Sequence, residues 1–176
     1  MAEAGICLTR SVVLVGLMGA GKTTVGARLA ERLGVPFADS DSEVERTEGL
    51  SIAAIFEQRG ERAFRTLERE TVARLMGLAP QVVAVGGGAF ADADSRRTML
   101  ERCTVVWLDA DVATLARRLA GDGDRPLLRG PERKAALARL AAQREPFYAE
   151  APVRIDAKPP VEQVVECILE VLAARC

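Results

Sequence analysis

The sequence predicts an α/β fold of three layers, α-β-α, in which a five-stranded parallel sheet lies between helices and a mobile lid covers one edge. Three observations predict it. Short valine-rich runs recur along the chain and alternate with segments of helical period, the pattern of β-α-β units. The early runs are apolar throughout, which marks strands buried on both faces. The first run also leads directly into a glycine-rich loop and a helix, through Gly16-Leu17-Met18-Gly19-Ala20-Gly21-Lys22-Thr23-Thr24, a match to G-x-x-x-x-G-K-[ST].

Taken in order, Val12-Val13-Leu14-Val15 forms the first strand, and residues 24–33 place Val25, Leu29 and Leu33 at helical spacing before Gly34 ends the helix. A second strand over 35–38 ends in Asp39-Ser40-Asp41. Residues 42–78 read mainly as helix, with a capped start at Ser51 and a later apolar stripe of Phe64, Leu67, Val72 and Leu75. The third strand, 81–85, closes on Gly86-Gly87-Gly88. A helix over 92–102, a strand over 104–108 and a helix over 113–119 follow. Gly121 to Pro126 break the pattern with turn formers, and Pro131 begins a helix that runs toward Tyr148. A strand over 153–155 and a helix over 161–174 come last. No repeat, low-complexity tract or linker interrupts the 176 residues, so one domain with a sizeable core is expected.

Apolar residues at 49% and charged residues at 28% are those of an ordinary soluble globular chain. A net charge of −1 gives no general attraction to nucleic acid or an anionic membrane. No apolar run approaches the length of a membrane span, and the N-terminus lacks the layout of a secretory signal, so a cytoplasmic protein is expected. Cys7, Cys103, Cys167 and Cys176 are scattered, without a C-x-x-C pair or a histidine to complete a zinc site, and read as reduced thiols. The absence of histidine also narrows the chemistry. A general base must be Asp, Glu, Lys, Tyr or Cys, and histidine-relay hydrolysis loses its centre.

A strand, a glycine loop and a helix N-terminus aim backbone N–H groups and a positive dipole end at one point, which suits a polyphosphate. Lys22 can reach the outer phosphates and the Thr23 hydroxyl can ligate Mg²⁺, so a nucleoside triphosphate is the expected ligand of this P-loop fold. Ligands of parallel sheets gather beyond the C-terminal strand ends. Two more clusters fall on that edge. Asp39 and Asp41, if extended, face the same way, one for Mg²⁺ or its water and the other to accept a proton; the alternative is a helix N-cap. Gly86-Gly87-Gly88 permits close backbone approach, either to a ligand or in packing. Arg125, in the glycine-rich break, suits a lid that closes over phosphates. Arg65 and Arg144 carry no distinguishing local context and read as surface residues on composition alone. The set suits phosphoryl transfer from ATP to a small acceptor, and no N-K-x-D guanine-reading signature is present.

Seven signatures then stand in order: Gly16 to Thr24, Asp39-Ser40-Asp41, Ser51-Ile-Ala-Ala-Ile-Phe56, Phe64-Arg65-x-x-Glu68, Gly86-Gly87-Gly88, Arg125-Pro-Leu-Leu128 and Arg144-x-Pro146-x-Tyr148. In this arrangement the chain resembles the shikimate kinase family, of the nucleoside-monophosphate-kinase structural group, from Val12 to about Asp156. The resemblance implies Mg²⁺-dependent transfer of the ATP γ-phosphoryl group to the 3-hydroxyl of shikimate, a step toward chorismate and the aromatic amino acids. It implies a monomer with a substrate-binding helical region near 40–78 and a lid near 120–131. Carried over by motif, Gly19, Ala20, Gly21, Lys22, Thr23 and Thr24 hold the ATP phosphates, and Thr23 and Asp39 serve the metal. Asp41 binds the shikimate hydroxyls and accepts the proton, with Lys22 and the lid residue Arg125 acting on the phosphates. Arg65 and Arg144 bracket the carboxylate through charge-assisted, fork-like bonds, and Gly87 and Gly88 offer backbone contacts. Glu68 orients a substrate arginine, Arg118 stacks near adenine, and Phe56 and Phe64 line the pocket or its core. Lys158-Pro159-Pro160 stands where the family often has an adenine-contacting loop. The rival readings are a gluconate kinase of the same fold and an ATP-binding regulator without turnover.

Overall fold

Val12–Val15, strand β1, is wholly buried because a strand at the centre of a parallel sheet has both faces covered. In the computed structural model, which describes residues 6–120 and 133–175, β1 is flanked by β3 (Val82–Ala84) and β4 (Thr104–Asp109). The outer strands are β2 (Phe37–Asp39) and β5 (Val153–Asp156), giving the order β2-β3-β1-β4-β5 with every pair parallel. This is the expected five-stranded parallel sheet. Only the last strand alternates: Val153 and Ile155 are buried while Arg154 and Asp156 are exposed, as an edge position allows.

The helices are α1 (Lys22–Leu33), α2 (Ser40–Glu48), α3 (Ile52–Met76), α4 (Ala93–Arg102), α5 (Val112–Arg118), α6 (Arg133–Tyr148) and α7 (Val161–Ala173). Successive strand residues point to opposite faces. Leu14 meets α1, where a β-carbon at Gly26 would stand 3.2 Å from it. Trp107, paired in register with Val15, meets Tyr148 of α6 at 5.9 Å between ring centroids. Helices α1 and α6 therefore cover opposite faces, which gives the three layers.

Several boundaries differ from the sequence expectation for local reasons. Helix α1 begins at Lys22 rather than at 24, because Gly21 takes the left-handed conformation (φ 91) that turns the loop into the helix. Strand β2 begins at Phe37, since Pro36 has no N–H for a ladder, although its carbonyl accepts from Val82. The helical region 42–78 is two helices. Gly49 (φ 65) ends α2, Ser51 caps α3 by accepting from Ala54 N–H, and the Glu45 carboxylate accepts from Ile52 N–H at 2.9 Å. Gly60 (φ 81, ψ 169) then kinks α3. The start of α6 expected at Pro131, the lid near 120–131 and Cys176 lie outside the described residues, apart from Ala120.

The main core surrounds the sheet, and a second, smaller cluster of Val44, Ile55 and Phe64 joins α2 to α3. Among the described cysteines, Cys7 and Cys167 are exposed and Cys103 is buried. Among the described residues no helix is long and apolar enough to cross a membrane.

Candidate active site

Between β1 and α1 the glycine loop folds on positive φ angles at Gly16, Gly19 and Gly21. Gly16 is the tightest: a β-carbon there would stand 2.6 Å from the Leu108 carbonyl oxygen, so the loop can pass β4 only as glycine. Lys22 donates from Nζ to the Gly16 and Leu17 carbonyls at 2.8 and 3.0 Å, which holds its ammonium over the loop. Ala20 is turned inward and 2% exposed, with its N–H given to the Leu17 carbonyl at 3.1 Å. It shapes the loop from behind and does not line the cleft.

Beside the loop, β2 delivers Asp39. Its Oδ1 accepts from the N–H groups of Asp41 and Ser42, capping α2, while its Oδ2 accepts from the Thr23 hydroxyl at 2.7 Å. The cap and the ligand readings of this residue are thus compatible, one oxygen for each. The expectation that an extended chain would align Asp39 with Asp41 does not hold, because α2 begins at Ser40. Asp41 reaches the cleft from the first helical turn instead. The Thr23–Asp39 pair fits a Mg²⁺ ion that shares its shell with phosphates. Mg²⁺ takes few protein ligands in such sites, and the described residues hold no cluster of three or more acidic or soft ligands that would make an all-protein cage.

The end of β3 brings the charged groups together. A β-carbon at Gly86 would stand 2.5 Å from Asp41 Oδ1 and 2.9 Å from Glu68 Oε1. One at Gly87 would stand 2.8 Å from Arg144 Nη1, and one at Gly88 would stand 2.5 Å from Arg65 Nη1. Each glycine is the seat of a different charged side chain, so the packing and ligand readings of this triplet merge. Arg65 donates from Nη1 to Glu68 Oε2 at 2.7 Å, and Glu68 is 3% exposed. Burial pushes the Glu68 carboxyl above its ordinary range, opposed by Arg65 and then by Arg144. Arg144, on α6, is 8% exposed, and its Nη1 has no hydrogen-bond partner among the described residues. Neither arginine is the surface residue that local context suggests.

These groups line one cleft of about 860 Å³ with Gly19, Gly21, Thr24, Phe56, Phe64 and Arg118. The Phe56 and Phe64 rings lie 4.7 Å apart, and Phe64 serves both the small core and the cleft wall. Arg118 donates to the carbonyls of Ala157 at 2.8 Å and Lys158 at 3.3 Å, tying the phosphate loop side to the segment before α7. Arg125 lies outside the described residues. The structure therefore gathers in one cleft the glycine loop with the Thr23–Asp39 pair and a strand end with two arginines.

Comparison with known proteins identifies the family. The shikimate kinase family model matches residues 18–173. The chain belongs to the shikimate kinase family. It is 44% identical to the shikimate kinase of Zymomonas mobilis over 164 residues, covering 93% of each chain. It superposes with a TM-score of 0.91 and 39% identity on a shikimate kinase of Acinetobacter baumannii in complex with shikimate, with 94% of each chain covered. A gluconokinase of Sinorhizobium meliloti shares the fold alone, at a TM-score of 0.64 and 20% identity.

Three contributors stand inside signatures of the sequence, but their contacts are seen only in the structure. Ser40, wholly buried inside the Asp-Ser-Asp signature, accepts from Gly86 N–H at 3.0 Å. Gly86 itself makes room for two carboxylates, and the Tyr148 hydroxyl donates to the Gly87 carbonyl at 2.7 Å. No periodicity or spacing announces such contacts between distant segments.

The double duty of Asp39 is testable by thermal or urea melts. Asp39→Ala is expected to cost about 1 kcal/mol of stability through loss of the cap, whereas Asp39→Asn keeps the cap and stays within about 0.5 kcal/mol. An alanine variant as stable as the parent contradicts the capping role.

Proposed function

We propose that the chain transfers the γ-phosphoryl group of ATP to the 3-hydroxyl of shikimate, giving shikimate 3-phosphate and ADP. The observation that carries this reading is the buried Arg144, which lines the same cleft as Arg65 and whose Nη1 has no hydrogen-bond partner among the described residues. A buried guanidinium nitrogen without an acceptor costs on the order of 1–3 kcal/mol, and a carboxylate ligand removes that cost with charge-assisted bonds.

In the reaction the acceptor hydroxyl oxygen forms a bond to the γ-phosphorus as the bond to the β,γ-bridging oxygen breaks and ADP leaves. Asp41, at the strand end between the two halves, receives the hydroxyl proton. A weak carboxylate base is sufficient because such a transfer depends mostly on positioning and charge neutralisation. Arg65 and Arg144 hold the acid, with Glu68 fixing Arg65, and Gly87 and Gly88 present N–H groups to the substrate. Lys22 and the N–H groups of Gly19, Gly21, Lys22, Thr23 and Thr24 bind the phosphates, with Arg118 on the adenosine side and Arg125 assigned to the lid from its motif. Thr23 and Asp39 would hold Mg²⁺, which neutralises phosphate charge when bound. We also propose a cytoplasmic monomer of one domain, for which sedimentation as a single species of one chain's mass is the check.

ATP consumption by the purified protein with Mg²⁺ and shikimate, beside gluconate, AMP and a blank, tests the reaction. Turnover with shikimate alone is expected, and Arg144→Ala is expected to raise the shikimate KM by about tenfold to a hundredfold through loss of a charge-assisted pair. Turnover with gluconate, or with no added acid, contradicts the assignment.

The state of Glu68 gives a pH signature. Its folded-state pKa stands above the unfolded value, so the native chain takes up this proton more readily, and acidification through that range stabilises the fold while it releases Arg65. The shikimate KM is expected to rise on the acid side at a pH above the ordinary carboxylate range, and Glu68→Gln flattens that limb. A parent profile without the limb contradicts the role.

A further inference from the structure

The polar backbone atoms of the triple glycine are tied except on one side. Gly86 N–H is given to Ser40 Oγ, and the Gly86 and Gly88 carbonyls accept from Ala89 and Ala91. The Gly87 carbonyl accepts from the Tyr148 hydroxyl at 2.7 Å. The N–H groups of Gly87 and Gly88 have no partner among the described residues. In a trans peptide the carbonyl and the following N–H point in opposite directions. No cis peptide is present among the described residues, so a Gly87 carbonyl held toward Tyr148 aims the Gly88 N–H away from α6, on the side where Gly88 lies against Arg65.

Tyr148 is well placed to hold that orientation. It is 2% exposed, and its ring lies between Phe90, at 6.3 Å between centroids, and Trp107, at 5.9 Å, so the ring cannot swing without repacking the core. Burial pushes its phenol up to about 12 against the nearby Arg144 guanidinium, which keeps it a donor at any working pH. It also stands one helical turn after Arg144 on α6, so the seating of a single helix sets the charged anchor and the strand-end peptide together.

We propose that Tyr148 is a positioning residue for the acid substrate: its hydroxyl, through the Gly87 carbonyl, fixes the Gly87–Gly88 peptide so that the Gly88 N–H faces the bound substrate beside Arg65. The proposal rests on the reading of the cleft as a shikimate site.

The test is Tyr148→Phe in the full chain, which keeps the ring contacts and removes only the hydroxyl. The parent is assayed first, and absence of shikimate-dependent ATP consumption there overturns the site reading and this inference with it. With an active parent, the variant is expected to show a shikimate KM raised about tenfold, the loss of one hydrogen bond in a buried network, with the ATP KM within about twofold. The rise in melting temperature given by shikimate shrinks while that given by ATP is kept. A variant that melts lower but keeps its shikimate KM, or whose two KM values rise alike, shows a structural role and overturns the proposal.

Discussion

A buried arginine needs an anion, and the cleft is built around two arginines that share one buried carboxylate. Glu68 lies against Arg65 by hydrogen bond and against Arg144 through space, yet Arg144 Nη1 has no acceptor among the described residues. A carboxylate in that position is itself held out of water, which is why its proton affinity rises. On the proposed reading, an acidic ligand supplies the acceptor that this arrangement lacks. Burial of this kind is expensive unless every partner is present.

The geometry that permits this crowding comes from the end of β3. Asp41, Glu68, Arg144 and Arg65 converge on three consecutive residues, and side chains there would collide with all four groups. Glycine is required by the neighbours' charges rather than by its own backbone angles, because none of the three has positive φ. Ser40 and Tyr148 each hydrogen-bond the strand end, and Asp39 joins the cap of α2 to the phosphate-loop hydroxyl of Thr23. The helix that carries Asp41 thereby answers to both halves of the cleft.

Much of this was legible in the sequence, for reasons that differ by residue. Valine-rich runs and the glycine loop announce the sheet and its first helix because burial on both faces and phosphate contact each impose a local pattern. Arg65 and Arg144 have no such pattern, and only the family-like order of motifs set them apart from solvated arginines. The break before α3 is announced by the cap at Ser51, whereas the kink at Gly60 lies inside a run that reads as helix. Contacts of Ser40 with Gly86 and of Tyr148 with Gly87 join residues 46 and 61 positions apart, and no local signal encodes them.

Calorimetric titration with shikimate and with its methyl ester tests most directly whether the two arginines define the ligand. The ester keeps the ring and hydroxyls but has no charge to offer Arg144 and Arg65. It is expected to bind about thirtyfold or more weaker, the equivalent of one charge-assisted pair. Equal affinities for the acid and the ester would contradict the account.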